Sequence, residues 1–306
     1  MRIFLAVIGS AAALAACLLG CTPASAGEAL NCGITVPRDR PAVVSASLAG
    51  VPAILRVPRI ITKPPIVLWH GFGPPADSRA LMAALPLDDV PAVKIYLDLP
   101  LFGARSAPGG IDEMIRRQTR DFAFLIFEPT VMGAAYELPD VIKALGARHC
   151  MTAAEKIGLF GFSAGGAAAL VALEQGRVSV SAAVTLNAST GLSASVQSLE
   201  RATKRPYAWT PRARLLAKHS DAMPHAADIA AGRPPVALLL IHGSDDEMVS
   251  PSVTVDLYGA LRPYYPRGAE SRLRLRVIPG LSHSWGAHDT AAPLAREIAS
   301  WFNRFL

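Results

Sequence analysis

Lys156-Ile157-Gly158-Leu159-Phe160-Gly161-Phe162-Ser163-Ala164-Gly165-Gly166 is the stretch whose reading decides the fold. A short apolar run leads into Gly161-Phe162-Ser163-Ala164-Gly165, and an Ala-rich helical pattern comes next. Strand, sharp turn and helix are the context in which G-x-S-x-G forms a nucleophile elbow. At such an elbow the serine hydroxyl projects from the end of a sheet. Glycines two residues to either side are needed where a side chain would meet neighbouring backbone. The helix after the turn aims its first amides at the serine, where oxyanion charge would develop. The five-residue pattern alone is weak, because Gly, Ser and Ala are common. Its flanks favour an elbow over an incidental Gly-rich turn.

Working outward, Val43–Leu48 and Val51–Val57 alternate around Ala49-Gly50 and predict an antiparallel hairpin. Ile66–Trp69 is a short run of buried-strand type, ended by His70-Gly71-Phe72-Gly73 and two prolines. Asp77 can cap a helix through Leu85, and Ala92–Leu97 is the next strand. It ends in a turn-rich loop, Asp98-Leu99-Pro100-Leu101-Phe102-Gly103-Ala104-Arg105. Residues 111–146 read as mainly helical, broken near Pro129. Beyond the elbow strand Ile157–Phe160, Ala164–Glu174 is its helix and Val178–Leu186 a further strand. Residues 188–234 have weak periodicity and four prolines. They predict an irregular cap or lid; the alternative is a long, partly helical crossover. Val236–Ile241 is the strongest strand of the C-terminal half and ends in His242-Gly243-Ser244-Asp245-Asp246-Glu247-Met248-Val249. A helix over 252–261, a strand over Leu273–Ile278 and an amphipathic helix over Ala291–Phe305 complete the chain. Strands alternating with helices predict an α/β protein, its mainly parallel sheet covered on both faces and edged by the hairpin.

From about residue 40 to the end this order resembles the α/β-hydrolase superfamily. That resemblance implies the α/β-hydrolase fold and a triad running Ser, acid, His along the chain, each at a strand end. The matching positions are Ser163, Asp246 and His283. His283 would take the Ser163 proton, and Asp246 would fix the imidazole's tautomer and orientation. Asp246 is preferred to Asp245 because the family's His-Gly-x-x-Asp-x-x-Val turn aligns with His242, Gly243, Asp246 and Val249. His283 is preferred to His288 because Gly280-x-x-His283 directly follows a strand. His149, His219 and His225 read as surface or cap residues, and His70 and His242 as braces within His-Gly turns. The oxyanion hole would come from the backbone N–H groups of Ala164 and Phe72; the competing reading of His70–Gly73 is a merely tight turn. Asp98–Arg105 looks like the D-x-P-x-x-G-x-R loop of the dienelactone hydrolase and prolyl-oligopeptidase-like branch. The chain departs from dienelactone hydrolases in having Ser163 rather than a cysteine. It departs from the oligopeptidases in lacking their large N-terminal propeller.

The chain's 306 residues suit one large domain or one domain with an inserted cap. It is 51% hydrophobic and 18% charged, with a formal charge of +6. The basic residues are scattered, which argues against a nucleic-acid partner. Met1-Arg2, the apolar run Ile3–Gly20 and Ala24-Ser25-Ala26 together read as an export signal over 1–26, leaving a hydrolase domain over 27–306. Two further cuts compete, because Leu14-Ala15-Ala16-Cys17 and Leu18-Leu19-Gly20-Cys21 resemble the bacterial lipoprotein signal. An uncleaved anchor is a third possibility. The expected location is periplasmic or secreted, with any membrane contact made through that N-terminus. Cys32 and Cys150 remain in the mature domain. Export would favour their pairing, and two unrelated buried thiols are the alternative.

The resemblance implies a serine esterase acting on a small-molecule carboxylic ester through an acyl-enzyme. A serine peptidase of the same fold would need an anionic group to hold a substrate amine, for which Glu128 or Glu137 are candidates. An acyltransferase would replace water by another acceptor. A non-catalytic envelope-binding protein is the alternative from a different class, and it has no need of an intact Ser, Asp and His. Arg201, Lys204, Arg205, Arg212 and Arg214 hint at a soluble or acidic substrate, against the plainer reading of a solvated basic face. No H-E-x-x-H spacing occurs, and neither metal nor other cofactor is expected. Nothing in the sequence fixes the oligomeric state.

Overall fold

The structure, a computed structural model, describes residues 32–152, 155–285 and 291–306. The export segment, with Cys17 and Cys21, and His288 lie outside the described residues. The strands are β1 (Ala42–Leu48), β2 (Val51–Val57), β3 (Ile66–Trp69), β4 (Lys94–Leu97), β5 (Ile157–Phe162), β6 (Val180–Leu186), β7 (Ala237–Asp245) and β8 (Leu273–Ser282). They form one sheet in the order β1-β2-β4-β3-β5-β6-β7-β8. β1 and β2 form the expected antiparallel hairpin, β2 pairs antiparallel with β4, and every other pair is parallel. The helices are α1 (Ser78–Ala84), α2 (Gly110–Phe122), α3 (Gly133–Ala147), α4 (Ala164–Gln175), α5 (Leu192–Thr203), α6 (Pro211–Ser220), α7 (Ala226–Ile229), α8 (Pro251–Leu261) and α9 (Ala291–Phe305).

The continuous apolar strands are explained by burial on both faces, because successive side chains alternate between two cores. Val67 and Trp69 of β3, with Leu238 and Leu240 of β7, pack with α3, α4 and α8. Ile66 and Leu68, with Leu239 and Ile241, pack with α1 and α9 on the other side. Helix α4 is buried from Ala164 to Leu173, which is why its alanines show no polar face. The whole is the α/β-hydrolase fold.

Two expectations need correction. The break in the long helical stretch falls at Asp121, not at Pro129. Asp121 is extended, and its Oδ1 accepts the Phe124 amide at 3.2 Å, so it ends α2 and caps the next helical segment. Pro129 lies inside that segment, a π-helical stretch over Ala123–Met132 that runs on into α3. Residues 188–234, expected as an irregular cap or else a long, partly helical crossover, take the second form and fold mainly into α5, α6 and α7 between β6 and β7. Thr210 Oγ1 accepts the Ala213 amide at 3.1 Å and Pro211 occupies the first turn, a strong start for α6. Leu192, Val196, Ala213, Ala217 and Ile229 join the main core, so the segment is not set off as a separate cap.

Candidate active site

Ser163 lies between β5 and α4 with φ 53° and ψ −118°, a conformation costly for a residue with a Cβ. The surroundings hold it there. A Cβ on Gly161 would strike the Gly165 carbonyl, and one on Gly165 would strike the carbonyls of Trp69 and His70. The strand, the helix and the loop after β3 are thus packed backbone to backbone about the serine. The Ser163 amide donates to Leu186 O at 3.0 Å, tying the elbow to the end of β6.

β7 and β8 continue beyond the rest of the sheet as a two-stranded ribbon whose register shifts after Gly243 and resumes with Asp245 opposite Ser282. Asp246 and His283 are the next residue on each strand, so the ribbon delivers them side by side. His283 Nδ1 lies 2.8 Å from Asp246 Oδ2. Its Nε2 lies 3.1 Å from Ser163 Oγ. All three side chains are buried. Phe162 packs against the imidazole, with ring centroids 5.1 Å apart.

The Asp246 carboxylate accepts from four N–H groups. Oδ1 takes the amides of Met248 at 2.9 Å and Val249 at 2.8 Å. Oδ2 takes His283 and, at 3.2 Å, a share of the His242 Nε2–H, which also meets Val249 O at 3.1 Å. Burial by itself would raise this carboxyl, but the hydrogen bonds from His242, His283 and Val249 outweigh it and hold the group well below the usual carboxylate range. An ionised Asp246 can only accept, so His283 carries its proton on Nδ1 and offers the Nε2 lone pair to the Ser163 hydroxyl. By contrast, Asp245 is exposed and accepts from its neighbour Ser244 at 2.6 Å.

His70–Gly73 packs directly on the elbow: a Cβ on Gly71 would meet Ser163 and Phe162. Phe72 and Ala164 line one cavity of about 360 Å³ with Ser163 and His283. The Ala164 amide opens α4, where the first amides have no partner inside the helix. The Asp98–Arg105 loop supports this wall. Asp98 accepts the amides of Ser78 at 2.7 Å and Ala104 at 2.9 Å. Gly103 has φ +55° and sits where a Cβ would overlap the Asp98 carboxylate. The Leu99 amide donates to His70 Nε2 at 3.0 Å, and His70 Nδ1 donates to Gly71 O at 2.7 Å. Burial lowers the His70 pKa, in keeping with this neutral form. Phe102 stacks on Phe72 with centroids 5.0 Å apart.

Of the other sequence candidates, Glu137 is held by Arg105 in a two-pronged pair at 2.6 and 2.8 Å, and neither it nor Glu128 lines the cavity. Cys32 and Cys150 are joined as a disulfide. His225 lies 3.2 Å from Glu174 and 3.6 Å from Asp228, away from the site. Among the described residues no group of three or more His, Cys, Asp or Glu side chains is arranged to hold a metal ion.

Two residues escaped sequence reasoning. His242, read there as a loop brace, does brace the loop through Val249 O at 3.1 Å and shares that Nε2–H with Asp246 at 3.2 Å, while Thr254 Oγ1 lies 2.7 Å from its Nδ1. Asn187 ends β6 and ties the other two strand ends together. Its Nδ2 donates to Ser282 O at 2.9 Å and His283 O at 3.2 Å, and its Oδ1 accepts the Gly243 amide at 2.8 Å. A buried-strand run ending at once in a lone asparagine was the one available signal.

The prolyl oligopeptidase family matches residues 134–306. No curated protein matches the chain in sequence. Among solved structures, the fold is shared with TT1662 from Thermus thermophilus, at 21% identity and a TM-score of 0.64, covering 87% of this chain and 98% of that one. It is shared with a hormone-sensitive lipase from a metagenome library, at 18% identity and a TM-score of 0.58, covering 89% and 88%. An acylaminoacyl peptidase from Pyrococcus horikoshii aligns at 15% identity and a TM-score of 0.59, covering 87% of this chain and 42% of the peptidase.

Proposed function

This chain belongs to the prolyl oligopeptidase family and is a serine hydrolase, and from that premise we propose that it cleaves small carboxylic esters through an acyl-enzyme. The observation that carries the catalytic reading is the unbroken line from Asp246 through His283 to Ser163, at 2.8 and 3.1 Å. In this reading Ser163 Oγ attacks the ester carbonyl as its proton passes to His283 Nε2. The imidazolium is stabilised by Asp246. The carbonyl oxygen, now an oxyanion, is met by the Phe72 and Ala164 amides. Collapse expels the alcohol, which takes the proton from His283. Water then repeats the sequence on the acyl-enzyme, releasing the acid and restoring Ser163.

Support for esters over peptides comes from the cavity. Phe72, Pro74, Phe122, Leu199 and Val249 give it apolar walls, and the two acids proposed to hold a substrate amine lie outside it. One observation favours the second reading, an aminopeptidase-like activity: the exposed Glu247 carboxylate stands on the cavity's edge.

The test sets residues 27–306 against p-nitrophenyl acetate, butyrate and octanoate, and against aminoacyl p-nitroanilides. Ester turnover is expected to fall by at least about 10³-fold in Ser163→Ala, with folding retained. Retained turnover in the folded variant would remove Ser163 from the mechanism. Anilide cleavage exceeding ester cleavage would move the assignment to a peptidase.

A further inference from the structure

Beside the catalytic cavity lies a larger one of about 650 Å³. Gln118, Phe122 and Leu199 line both, so the two are adjoining chambers that share a wall. The second is built from the end of α2, the end of α5 and the connection from α5 to α6. No step of the proposed reaction uses it.

The structure sorts the basic residues around it. Arg201 donates to Met248 O at 2.7 Å and Ser198 Oγ at 3.2 Å. The Arg212 guanidinium lies 4.0 Å above the Phe124 ring, and that of Arg214 lies 5.6 Å from the Trp209 ring centre. Lys204 ends α5 outside the chamber. Arg205 and Arg120 line the chamber, and neither has an ion-pair partner among the described residues. The one acid in the lining, Asp121, is engaged: its Oδ1 accepts from the Phe124 amide at 3.2 Å and the Tyr207 hydroxyl at 3.4 Å. Nearby Glu200 accepts the Tyr207 amide at 2.7 Å. Two arginines without an ion-pair partner among the described residues therefore line an opening whose other walls include Phe122, Leu199 and Pro206.

We infer that this chamber is a subsite for a carboxylate carried by the ester substrate, gripped by Arg120 and Arg205 while the ester carbonyl lies at Ser163. The inference rests on the ester reading above and adds the substrate class to it. Guanidinium groups match a carboxylate in shape and charge. Both arginines are exposed, so solvent and salt weaken the attraction, and the discrimination is on the order of tenfold. The spacing comes from α5. Ser195 lines the catalytic cavity and Thr203 the second chamber. The two linings meet along this helix, at Leu199 and between Ala202 and Thr203, so the eight-residue rise from Ser195 to Thr203, about 12 Å, bounds the span from above. Carbonyl and carboxylate should stand on the order of 10 Å apart, about eight bonds of extended chain at roughly 1.2 Å each.

The experiment compares kcat/KM for carboxylated and uncharged esters of equal length. One pair of series places the carboxylate on the acyl side: p-nitrophenyl monoesters of octanedioic and decanedioic acid against p-nitrophenyl octanoate and decanoate. The other places it on the alcohol side: butyrate esters of 8-hydroxyoctanoic acid against octyl butyrate. In at least one series the charged-to-uncharged ratio should fall about tenfold in Arg120→Gln/Arg205→Gln, mainly through KM. It should fall likewise in the unaltered protein on going from 0.05 to about 0.5 M salt. Arg205→Lys should retain part of the ratio. A ratio unmoved by the double variant in both series overturns the subsite. Absence of Ser163-dependent turnover of every ester would instead overturn the ester reading beneath it.

Discussion

Asp245 and Asp246 are adjacent and chemically identical, yet only one is wired to the imidazole. Asp246 is buried and takes four N–H groups; Asp245 is exposed and takes a neighbouring hydroxyl. The difference arises because the β7–β8 pairing ends at Asp245, so the chain turns inward with the very next residue. An amide at position 246 has one accepting oxygen where the carboxylate uses two, so it could not meet both the Met248 and Val249 amides and the imidazoles, and with its NH2 turned to His283 it would no longer fix the proton on Nδ1. Asp246→Asn is therefore expected to lower kcat by about 10³- to 10⁴-fold. Asp245→Asn should stay close to the unaltered protein, as surface substitutions generally do. Steady-state kinetics on p-nitrophenyl butyrate separates the two. A loss at position 245 matching that at 246 would reverse the assignment.

At the scale of elements, the site exists because three strand ends are held in register by one side chain. Asn187 spends its whole amide on Ser282, His283 and Gly243. Asn187→Ala leaves those buried backbone groups unpaired, at a cost of roughly 1–3 kcal/mol. It also frees the loop that aims His283. Thermal unfolding and kinetics measured together test this: a lower melting temperature with an unchanged kcat would make Asn187 a brace of the fold alone. The contrast with Ser163, Asp246 and His283 shows what a sequence can reveal. Ser163 follows an apolar strand at its elbow, and Asp246 and His283 lie in the loops after two more, so the α/β alternation puts all three at one sheet edge and the resemblance to the α/β-hydrolases picks out the two later residues. The jobs of Asn187 and His242 depend on which strands become neighbours, and a linear pattern does not carry that. Helix α6 was hidden because its buried face is Ala213, Ala217 and Ser220, too small and mild to make a clear apolar stripe, whereas α5 carries Leu192, Val196 and Leu199 at helical spacing, a stripe that was there to be read. The long helix broke at Asp121 rather than Pro129 because a side-chain cap ends a helix actively, whereas a wide π-helical turn can absorb a proline.

For the molecule as a whole, the Cys32–Cys150 bond ties the chain just ahead of β1 to the connection between α3 and β5, closing a loop with a sequence separation of 118. A loop that long constrains the unfolded chain strongly, so the bond should contribute about 2–4 kcal/mol. Cys150→Ser, or reduction with dithiothreitol, is expected to lower the unfolding free energy by that amount, read from the midpoint and slope of a denaturant titration; an unchanged unfolding free energy would make the bond dispensable. A bond of this kind persists in an oxidising compartment, which bears on the N-terminus. Cys32 lies beyond all three candidate cut points, at Ala26, Cys21 and Cys17, so every processed product keeps it. We therefore expect the 306-residue chain, expressed in a bacterial host, to be recovered outside the cytoplasm, oxidised and shortened. Mass spectrometry of the intact product separates the routes: Gly27 at the N-terminus marks a freed protein, and a lipid-bearing Cys17 or Cys21 marks an anchored one. An unprocessed, reduced chain confined to the cytoplasm would overturn export. The stability lost in Cys150→Ser would then have no counterpart in the cell, because the thiols there would never have paired.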